Sequence, residues 1–277
     1  MDAGYLNKLF GLEDRVAVLT GGGGILCGAM ARAFGRLGAK IAVLDMNRQA
    51  AQVVADQIQA EGGEALDVQA DVLEPASLQE ALDRVMARYG RVDILVNGAG
   101  GNKKEATTAP DLSFFDLPKD AFQWVFNLNL LGTLLCTQTF GRQMVNQDSG
   151  AILNIASLSG FRPLTNVAAY SAAKAAVISL TQWMAVHLSL HYSKRIRVNA
   201  LAPGFFLTEQ NRFLLTDAKD GSLTRRGQTI LDHTPQARFG EPEDLVGAAV
   251  WLLSPSAAFV HGTVVTVDGG FMAFGGV

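Results

Sequence analysis

The fold of this chain is decided by residues 15–28, Arg15-Val-Ala-Val-Leu-Thr-Gly-Gly-Gly-Gly-Ile-Leu-Cys-Gly28. The apolar run from Arg15 to Leu19 has the length of a buried strand, and a helix is expected from about Leu26 to Leu37. Glycines in the turn between them let the backbone approach a pyrophosphate, and the N-terminus of the helix attracts its negative charge. A strand, a glycine-rich turn and a helix in this order predict a dinucleotide-binding site.

Strands and helices alternate through the rest of the chain. Six further strands are predicted at residues 40–44, 66–70, 92–96, 151–156, 196–201 and 263–267, with helices between them. This alternation is typical of an α/β fold, and it predicts a Rossmann-type, doubly wound parallel sheet of seven strands with helices on both faces. We expect residues 1–277 to form one domain, because no linker, repeat or low-complexity segment divides them.

The composition argues against several classes of protein. The net charge of −3 gives no basic surface for nucleic acid, and no apolar run approaches the roughly 18 residues of a membrane span. Cys27 and Cys136 form no metal-ligand set, so no metal is expected. The first residues lack the features of a signal peptide, and we expect a reducing, cytoplasmic location. The expected partner is a small-molecule substrate.

An acidic residue at the end of the second strand predicts which dinucleotide binds. Asp45 lies about 20 residues beyond the glycines, where a carboxylate hydrogen-bonds the ribose hydroxyls of NAD. The same negative charge would repel the 2′-phosphate of NADP. Arg48 is the nearby cation that could offset this repulsion, so the sequence predicts NAD as the cofactor.

Residues 151–176 carry the groups from which we predict catalysis. A short apolar strand leads into Ser157, and Tyr170 and Lys174 lie four residues apart on one face of an alanine-rich helix. A lysine ammonium beside the phenol favours phenolate and lowers the pKa of Tyr170, which can then act as a general acid/base. With the Ser157 hydroxyl holding the same substrate oxygen, the three groups suit the interconversion of an alcohol and a ketone with a hydride acceptor.

The spacing of Ser157, Tyr170 and Lys174 resembles the catalytic motif of the short-chain dehydrogenase/reductase family, and the resemblance covers nearly the whole chain. It implies that Asn129, in Asn-Leu-Leu-Gly, is a fourth catalytic residue, which binds a water that links the lysine to solvent. It also implies a set of cofactor-binding residues at the carboxyl edge of the sheet. These are Gly21, Gly24, Leu26, Asp45, Asp71, Val72, Asn97, Gly98, Ala99, Tyr170, Lys174, Pro203, Gly204 and Thr208.

Two segments depart from the family's pattern. The family's Thr-Gly-x-x-x-Gly-x-Gly, aligned without a gap, places its later glycines on Ile25 and Cys27. We therefore expect Gly24 to allow the close approach of the phosphates and Cys27 to be a small packing residue near them. The family's Asn-Asn-Ala-Gly is Asn-Gly-Ala-Gly here, with Gly98 in place of an asparagine.

Four segments, at residues 20–28, 203–212, 233–235 and 271–277, resemble a subgroup of D-mannonate oxidoreductases (fructuronate reductases) near the gluconate dehydrogenases. The resemblance implies a sugar-acid substrate, with D-mannonate oxidised to D-fructuronate. Basic residues in a lid at 205–237 and in the loop after the fourth strand are candidates to bind its carboxylate. They are Lys103, Lys104, Arg212, Arg225 and Arg226. Of these we name Arg212, because it lies nearest to Thr208.

Two other functions stay open. One is a 3-oxoacyl or polyol ketoreductase of the same family. The other is a dinucleotide-binding regulatory or structural protein that has lost catalysis, although the intact Ser157, Tyr170, Lys174 and Asn129 argue against it.

The resemblance also implies a homotetramer. The physical reason is that a sheet buries only one stripe of each helix. The two long helices predicted at 119–144 and 167–192 carry a further set of apolar residues, namely Leu134, Phe140, Trp183 and Met184.

Overall fold

The computed structural model describes residues 3–208, 212, 215–217 and 220–276. It confirms the predicted α/β architecture of seven parallel strands, which lie in the order β3-β2-β1-β4-β5-β6-β7. The strands are β1 (Val16–Thr20), β2 (Lys40–Asp45), β3 (Glu64–Gln69), β4 (Ile94–Asn97), β5 (Gly150–Ile155), β6 (Ile196–Pro203) and β7 (Val264–Val267). The central strands are mostly apolar because helices cover both faces of the sheet.

The described helices connect these strands. They are α1 (Ala3–Phe10), α2 (Ile25–Arg36), α3 (Arg48–Ala60), α4 (Pro75–Tyr89), α5 (Lys119–Phe126), α6 (Gly132–Asn146), α7 (Ala168–His191), α8 (Arg225–Asp232) and α9 (Val246–Leu253). Local chemistry sets several of their ends. The side chain of Asn47 caps α3 by accepting hydrogen bonds from the N–H groups of Gln49 and Ala50. Gly90 ends α4 with a φ of 73°.

The core has two layers, one on each face of the sheet. Helices α2, α3 and α9 cover one face through side chains such as Phe34 and Ile58. Helices α4, α6 and α7 cover the other face, where Phe140, Met144 and Met184 are buried. The prediction that Phe140 and Met184 belong to a second, outward apolar stripe was therefore wrong, because both pack on the chain's own sheet.

The helix predicted over 119–144 is interrupted. A single π-helical turn, Asn127–Leu131, separates α5 from α6. Such turns shift the register of a helix by one residue and occur frequently at functional sites. Here the turn directs Asn129 inward, where its side chain is completely buried.

The strand order reverses at β1, since β2 and β3 extend the sheet on one side and β4 to β7 on the other. Open α/β sheets bind ligands at the carboxyl ends of their strands next to such a reversal. The loops after β1, β4, β5 and β6 meet there, and they contain several of the predicted site residues, among them Gly21, Gly98 and Ser157. Among the described residues, no helix combines the length and apolar character needed to cross a bilayer.

Candidate active site

The glycine-rich loop packs tightly on one side and is open on the other. Gly21 has a φ of +63°, and a Cβ there would lie 2.9 Å from the backbone of Ala99. Side chains at Gly22 and Gly23 would collide with Val43 and Ala50. A Cβ at Gly24 would meet only the carbonyl oxygen of Gly21, at 3.2 Å, and Gly24 is exposed. The loop thus offers open backbone at Gly24, as its predicted role requires.

The start of α2 is suited to an anion. Its N-cap is Gly24, which has no side chain to accept a hydrogen bond from the first N–H groups of the helix, and Leu26 lies in the first turn. Unsatisfied N–H groups at a helix N-terminus attract phosphate. The residues present therefore fit the pyrophosphate of a dinucleotide.

Asp45 is the last residue of β2, and its carboxylate holds the glycine-rich loop. Its Oδ2 accepts a hydrogen bond from the N–H of Gly23 at 3.1 Å, and its Oδ1 accepts one from Asn47 at 2.9 Å. The carboxylate therefore lies beside the predicted phosphate site, with lone pairs left for further donors. The guanidinium of Arg48 pairs with Asp67 at 3.7 Å.

Thr20 is a site residue that sequence reasoning overlooked. Its buried hydroxyl accepts hydrogen bonds from the N–H groups of Gly98 and Ala99, at 3.1 and 3.2 Å. This joins the end of β1 to the loop after β4, so the glycine loop and the segment from Asn97 to Gly100 form one surface. The signal was present in the sequence, because Thr20 immediately precedes the first glycine.

The two departures from the family's pattern contact each other. The Sγ of Cys27 occupies the space where a side chain at Gly98 would begin, so that a Cβ added to Gly98 would overlap it. The cysteine thus fills the volume that a side chain at residue 98 would need. Cys27 is 5% exposed and free, and burial raises the pKa of its thiol to about 12. This fits the predicted role of a small packing residue.

Ser157, Tyr170 and Lys174 are brought together at the carboxyl end of β5. Ser157 follows the strand after Ala156, and the other two lie in the first two turns of α7. Lys174 is 4% exposed, and its Nζ donates a hydrogen bond to the carbonyl oxygen of Ile155 at 2.7 Å. The same Nζ is 5.6 Å from the centre of the Tyr170 ring. The three side chains share one partly buried corner.

The electrostatics of this corner differ from the prediction. Burial raises the pKa of Tyr170, and a hydrogen bond with Ser157 lowers it to a smaller extent. Burial also lowers the pKa of Lys174 to about 8. The expected lowering of the Tyr170 pKa was therefore wrong for this structure, because loss of solvent on burial outweighs the hydrogen bond with Ser157.

Asn129 links this corner to the loop after β4. Its Nδ2 donates hydrogen bonds to the carbonyl oxygens of Gly101 and Val125, both at 2.7 Å, and its Oδ1 accepts one from the N–H of Gly101 at 3.1 Å. A Cβ on Gly100 would lie 2.6 Å from that Oδ1 and 3.3 Å from the Nζ of Lys174. Asn129 and Lys174 therefore meet on the side of Gly100 where a side chain would begin.

The remaining predicted cofactor residues lie on the same edge. Asp71 and Val72 follow β3, and the side chain of Val72 is buried where a Cβ on Gly132 would collide with it. Pro203 ends β6, and Gly204 packs so closely on Asp268 that a Cβ would lie 2.7 Å from its Cα. Thr208 is half-buried.

The five basic candidates occupy different environments. Lys103 lies over the ring of Trp124, with 4.6 Å between its Nζ and the ring centre. Lys104, Arg212 and Arg225 are exposed, whereas Arg226 is half-buried. The guanidinium of Arg226 donates a hydrogen bond to the hydroxyl of Thr165. The structure therefore does not single out Arg212, the residue that the sequence favoured.

A family model and a relative of known sequence each match most of this chain. A family model described as enoyl-(acyl carrier protein) reductase matches residues 25–272. An uncharacterized oxidoreductase of Bacillus subtilis (strain 168), UxuB, is 46% identical over 275 residues, which cover 96% of this chain and 98% of the relative.

Two solved structures extend the comparison. A protein from Haemophilus influenza, provisionally named a D-mannonate oxidoreductase and solved with bound NAD, is 44% identical with a TM-score of 0.90. That match covers 96% of this chain and 98% of the other. A gluconate 5-dehydrogenase from Burkholderia cenocepacia J2315, solved with NADP and tartrate, is 33% identical with a TM-score of 0.86. That match covers 97% of this chain and 99% of the other chain.

Proposed function

Because the chain belongs to the short-chain dehydrogenase/reductase family, we propose that it is an NAD(H)-dependent dehydrogenase of a sugar acid. The reaction would interconvert the secondary alcohol of D-mannonate and the ketone of D-fructuronate. The observation that carries the chemistry is the convergence of the Ser157 hydroxyl, the Tyr170 phenol and the Lys174 ammonium at the carboxyl end of β5. These groups can bind and protonate a single substrate oxygen.

The steps that the protein performs follow from these contacts. The nicotinamide, when bound, supplies the hydride for ketone reduction and accepts it in alcohol oxidation. In reduction, Tyr170 donates its phenolic proton to the carbonyl oxygen, while Ser157 hydrogen-bonds that oxygen and orients it. The nearby Lys174 ammonium stabilises the phenolate that remains. In oxidation, the phenolate removes the alcohol proton. Because burial raises the pKa of Tyr170, the protonated phenol is its resting form.

Asn129 has a positioning role in this scheme. Its amide holds Gly101 by hydrogen bonds in both directions, so it fixes the loop that borders Lys174. The family's Asn–water–Lys relay, which would return the proton to Tyr170 from solvent, is compatible with the proximity of Asn129 and Lys174.

The choice of substrate and cofactor has separate support. A relative 44% identical to this chain is provisionally named a D-mannonate oxidoreductase and binds NAD. A second neighbour acts on gluconate, another sugar acid. In this chain Asp45 lies next to the glycine-rich loop, where its carboxylate favours ribose hydroxyls over a 2′-phosphate.

The test is a screen for turnover, in which the absorbance of the reduced cofactor is recorded over time. D-mannonate, D-gluconate, neutral hexitols and 3-oxoacyl thioesters are each assayed with the NAD and NADP forms of the cofactor. We expect an aldonate with NAD⁺ to give the highest kcat/KM. Tyr170→Phe should bind NADH as the wild type does and lose about 10²–10⁴-fold in kcat. Preference for a 3-oxoacyl thioester or a hexitol would contradict the substrate, and a fully active Tyr170→Phe would contradict the mechanism.

A further inference from the structure

The loop between Ser157 and Tyr170 is held from two sides. On one side, the N–H of Thr108 donates a hydrogen bond to the carbonyl oxygen of Asn166 at 3.0 Å, and the side chains of these two residues also pair. On the other side, Arg226 of the lid reaches the hydroxyl of Thr165 with an Nη1–Oγ1 distance of 3.4 Å. The loop after β4 and helix α8 therefore both contact the segment that leads into Tyr170.

Arg226 occupies a defined position in the lid. It lies in the first turn of α8, which Thr224 caps by accepting a hydrogen bond from the N–H of Gly227. Gly227 is buried against the backbone of Leu215, where a side chain would collide. This packing places Arg226 toward the loop that leads to Tyr170, while its neighbour Arg225 is exposed.

The charge of Arg226 is not neutralised by the described parts of the chain. Several other arginines form ion pairs, namely Arg36 with Glu61, Arg91 with Asp93, Arg195 with Asp148 and Arg238 with Asp244. Within residues 3–208, 212, 215–217 and 220–276, no carboxylate forms an ion pair with Arg226. Its contact there is the neutral hydroxyl of Thr165, at the long end of hydrogen-bond distances.

We infer that Arg226 binds the carboxylate of the substrate and that Thr165 orients its guanidinium. The inference rests on the proposed function, since it assigns the acidic end of the sugar acid within the same site. A guanidinium presents two parallel N–H donors that match a carboxylate, so it fixes orientation as well as adding affinity. The carboxylate of an open-chain aldonate lies several carbons from the reacting carbon, so the group that binds it must be separate from Tyr170. Arg226 meets this condition, since it contacts Thr165, five residues before Tyr170. Arg226 is therefore a specificity-determining residue of the substrate site.

The experiment compares Arg226→Gln, Arg226→Lys and the matched control Arg225→Gln. Each is assayed on an aldonate and on a neutral hexitol with NAD⁺. Loss of a charge-assisted pair predicts that Arg226→Gln raises KM for the aldonate by about 10- to 100-fold, with KM for the hexitol and for NAD⁺ unchanged. Arg226→Lys keeps the positive charge but lacks the two parallel N–H donors, so it should give an intermediate KM for the aldonate. Arg225→Gln should resemble the wild type on both substrates.

A binding measurement separates this inference from the proposed function. Tartrate, a hydroxy acid that need not react, is titrated into the enzyme–NADH complex while NADH fluorescence is followed. Arg226→Gln should weaken tartrate binding by about the same factor as it raises the aldonate KM. If wild type binds tartrate through Arg226 but oxidises no aldonate, the proposed substrate is wrong and the carboxylate site stands. If tartrate binds Arg226→Gln as tightly as wild type, or binds neither protein, the inference is overturned whatever the activity.

Discussion

At the scale of single residues, burial governs the chemistry of the catalytic corner. Lys174 is almost fully enclosed, and its ammonium donates a hydrogen bond to the carbonyl of Ile155. Its pKa falls to about 8 while that of Tyr170 rises, so both groups move toward their neutral forms. Neighbouring residues in a sequence do not reveal how much solvent each loses. The sequence therefore predicted the right three residues to be adjacent, and the wrong direction for the Tyr170 pKa.

These pKa values predict a pH dependence for ketone reduction. The phenol of Tyr170 stays protonated through neutral pH, and Lys174 carries its charge below about pH 8. Because that charge stabilises the phenolate formed in the reaction, kcat/KM should be constant below about pH 8 and fall above it. Lys174→Arg keeps its charge to much higher pH, so its falling limb should move upward. A wild-type profile that stays flat well above pH 8 would show that Lys174 does not titrate as described.

Asp45 has two roles that a pair of variants can separate. Its carboxylate accepts a hydrogen bond from Gly23, and its charge faces the region predicted to hold the ribose. Asp45→Asn keeps an acceptor for Gly23 but removes the repulsion of a 2′-phosphate, so it should lower the ratio of kcat/KM for NAD⁺ to that for NADP⁺ by about 10- to 100-fold. Asp45→Ala should do the same and also lower the thermal midpoint. If wild type already prefers NADP⁺, Asp45 does not select the cofactor.

At the scale of elements, the sequence predicts features formed by neighbouring residues and misses contacts between separate elements. The strand, turn and helix of residues 16–36 were expected from glycine placement and apolar length. The contact of Cys27 in α2 with Gly98 after β4 was not, although each departure was visible on its own. The π turn at Asn127–Leu131 was also missed, because its residues read as ordinary helix. Both features depend on packing between elements, which a single sequence does not reveal.

The Cys27–Gly98 contact predicts energetic coupling between α2 and the loop after β4. Gly98→Ala alone places a Cβ on the sulfur and should destabilise the protein by about 1–3 kcal/mol. Cys27→Ala removes the sulfur, so adding it to Gly98→Ala should cost less than the sum of the two single changes, with a coupling of about 0.5–3 kcal/mol. Urea unfolding of the four proteins measures this.

A control for this cycle is Gly247→Ala, in α9, where an added Cβ meets nothing within 4 Å. Its effect should add to that of Cys27→Ala without coupling. Additivity between Gly98→Ala and Cys27→Ala as well would mean that the loop moves aside, and that the two departures are independent.

At the scale of the whole molecule, the alternation of strands and helices was enough to predict a seven-stranded parallel sheet. It was not enough to show which helix faces remain outside. Phe140 and Met184 were counted as outward, but they fill the layer between the sheet and helices α6 and α7. On α7 the large apolar side chains that stay exposed are Trp183, as predicted, together with Val186 and Leu190.

These exposed side chains carry the prediction of a homo-oligomer. Trp183, Val186 and Leu190 are 58, 61 and 73% exposed, and they recur every three or four residues along α7. Such a stripe is stabilised when a second copy of the chain covers it. We expect light scattering at micromolar concentration to give a mass above that of the 29.5 kDa chain, and that of a tetramer if the family's assembly is kept. Val186→Glu with Leu190→Glu should lower that mass, because two carboxylates would be buried without partners. Val53→Glu, at an exposed position on α3, should leave the mass unchanged. A monomer mass for wild type would refute the assembly, and an unchanged mass for the double variant would place the interface on another surface.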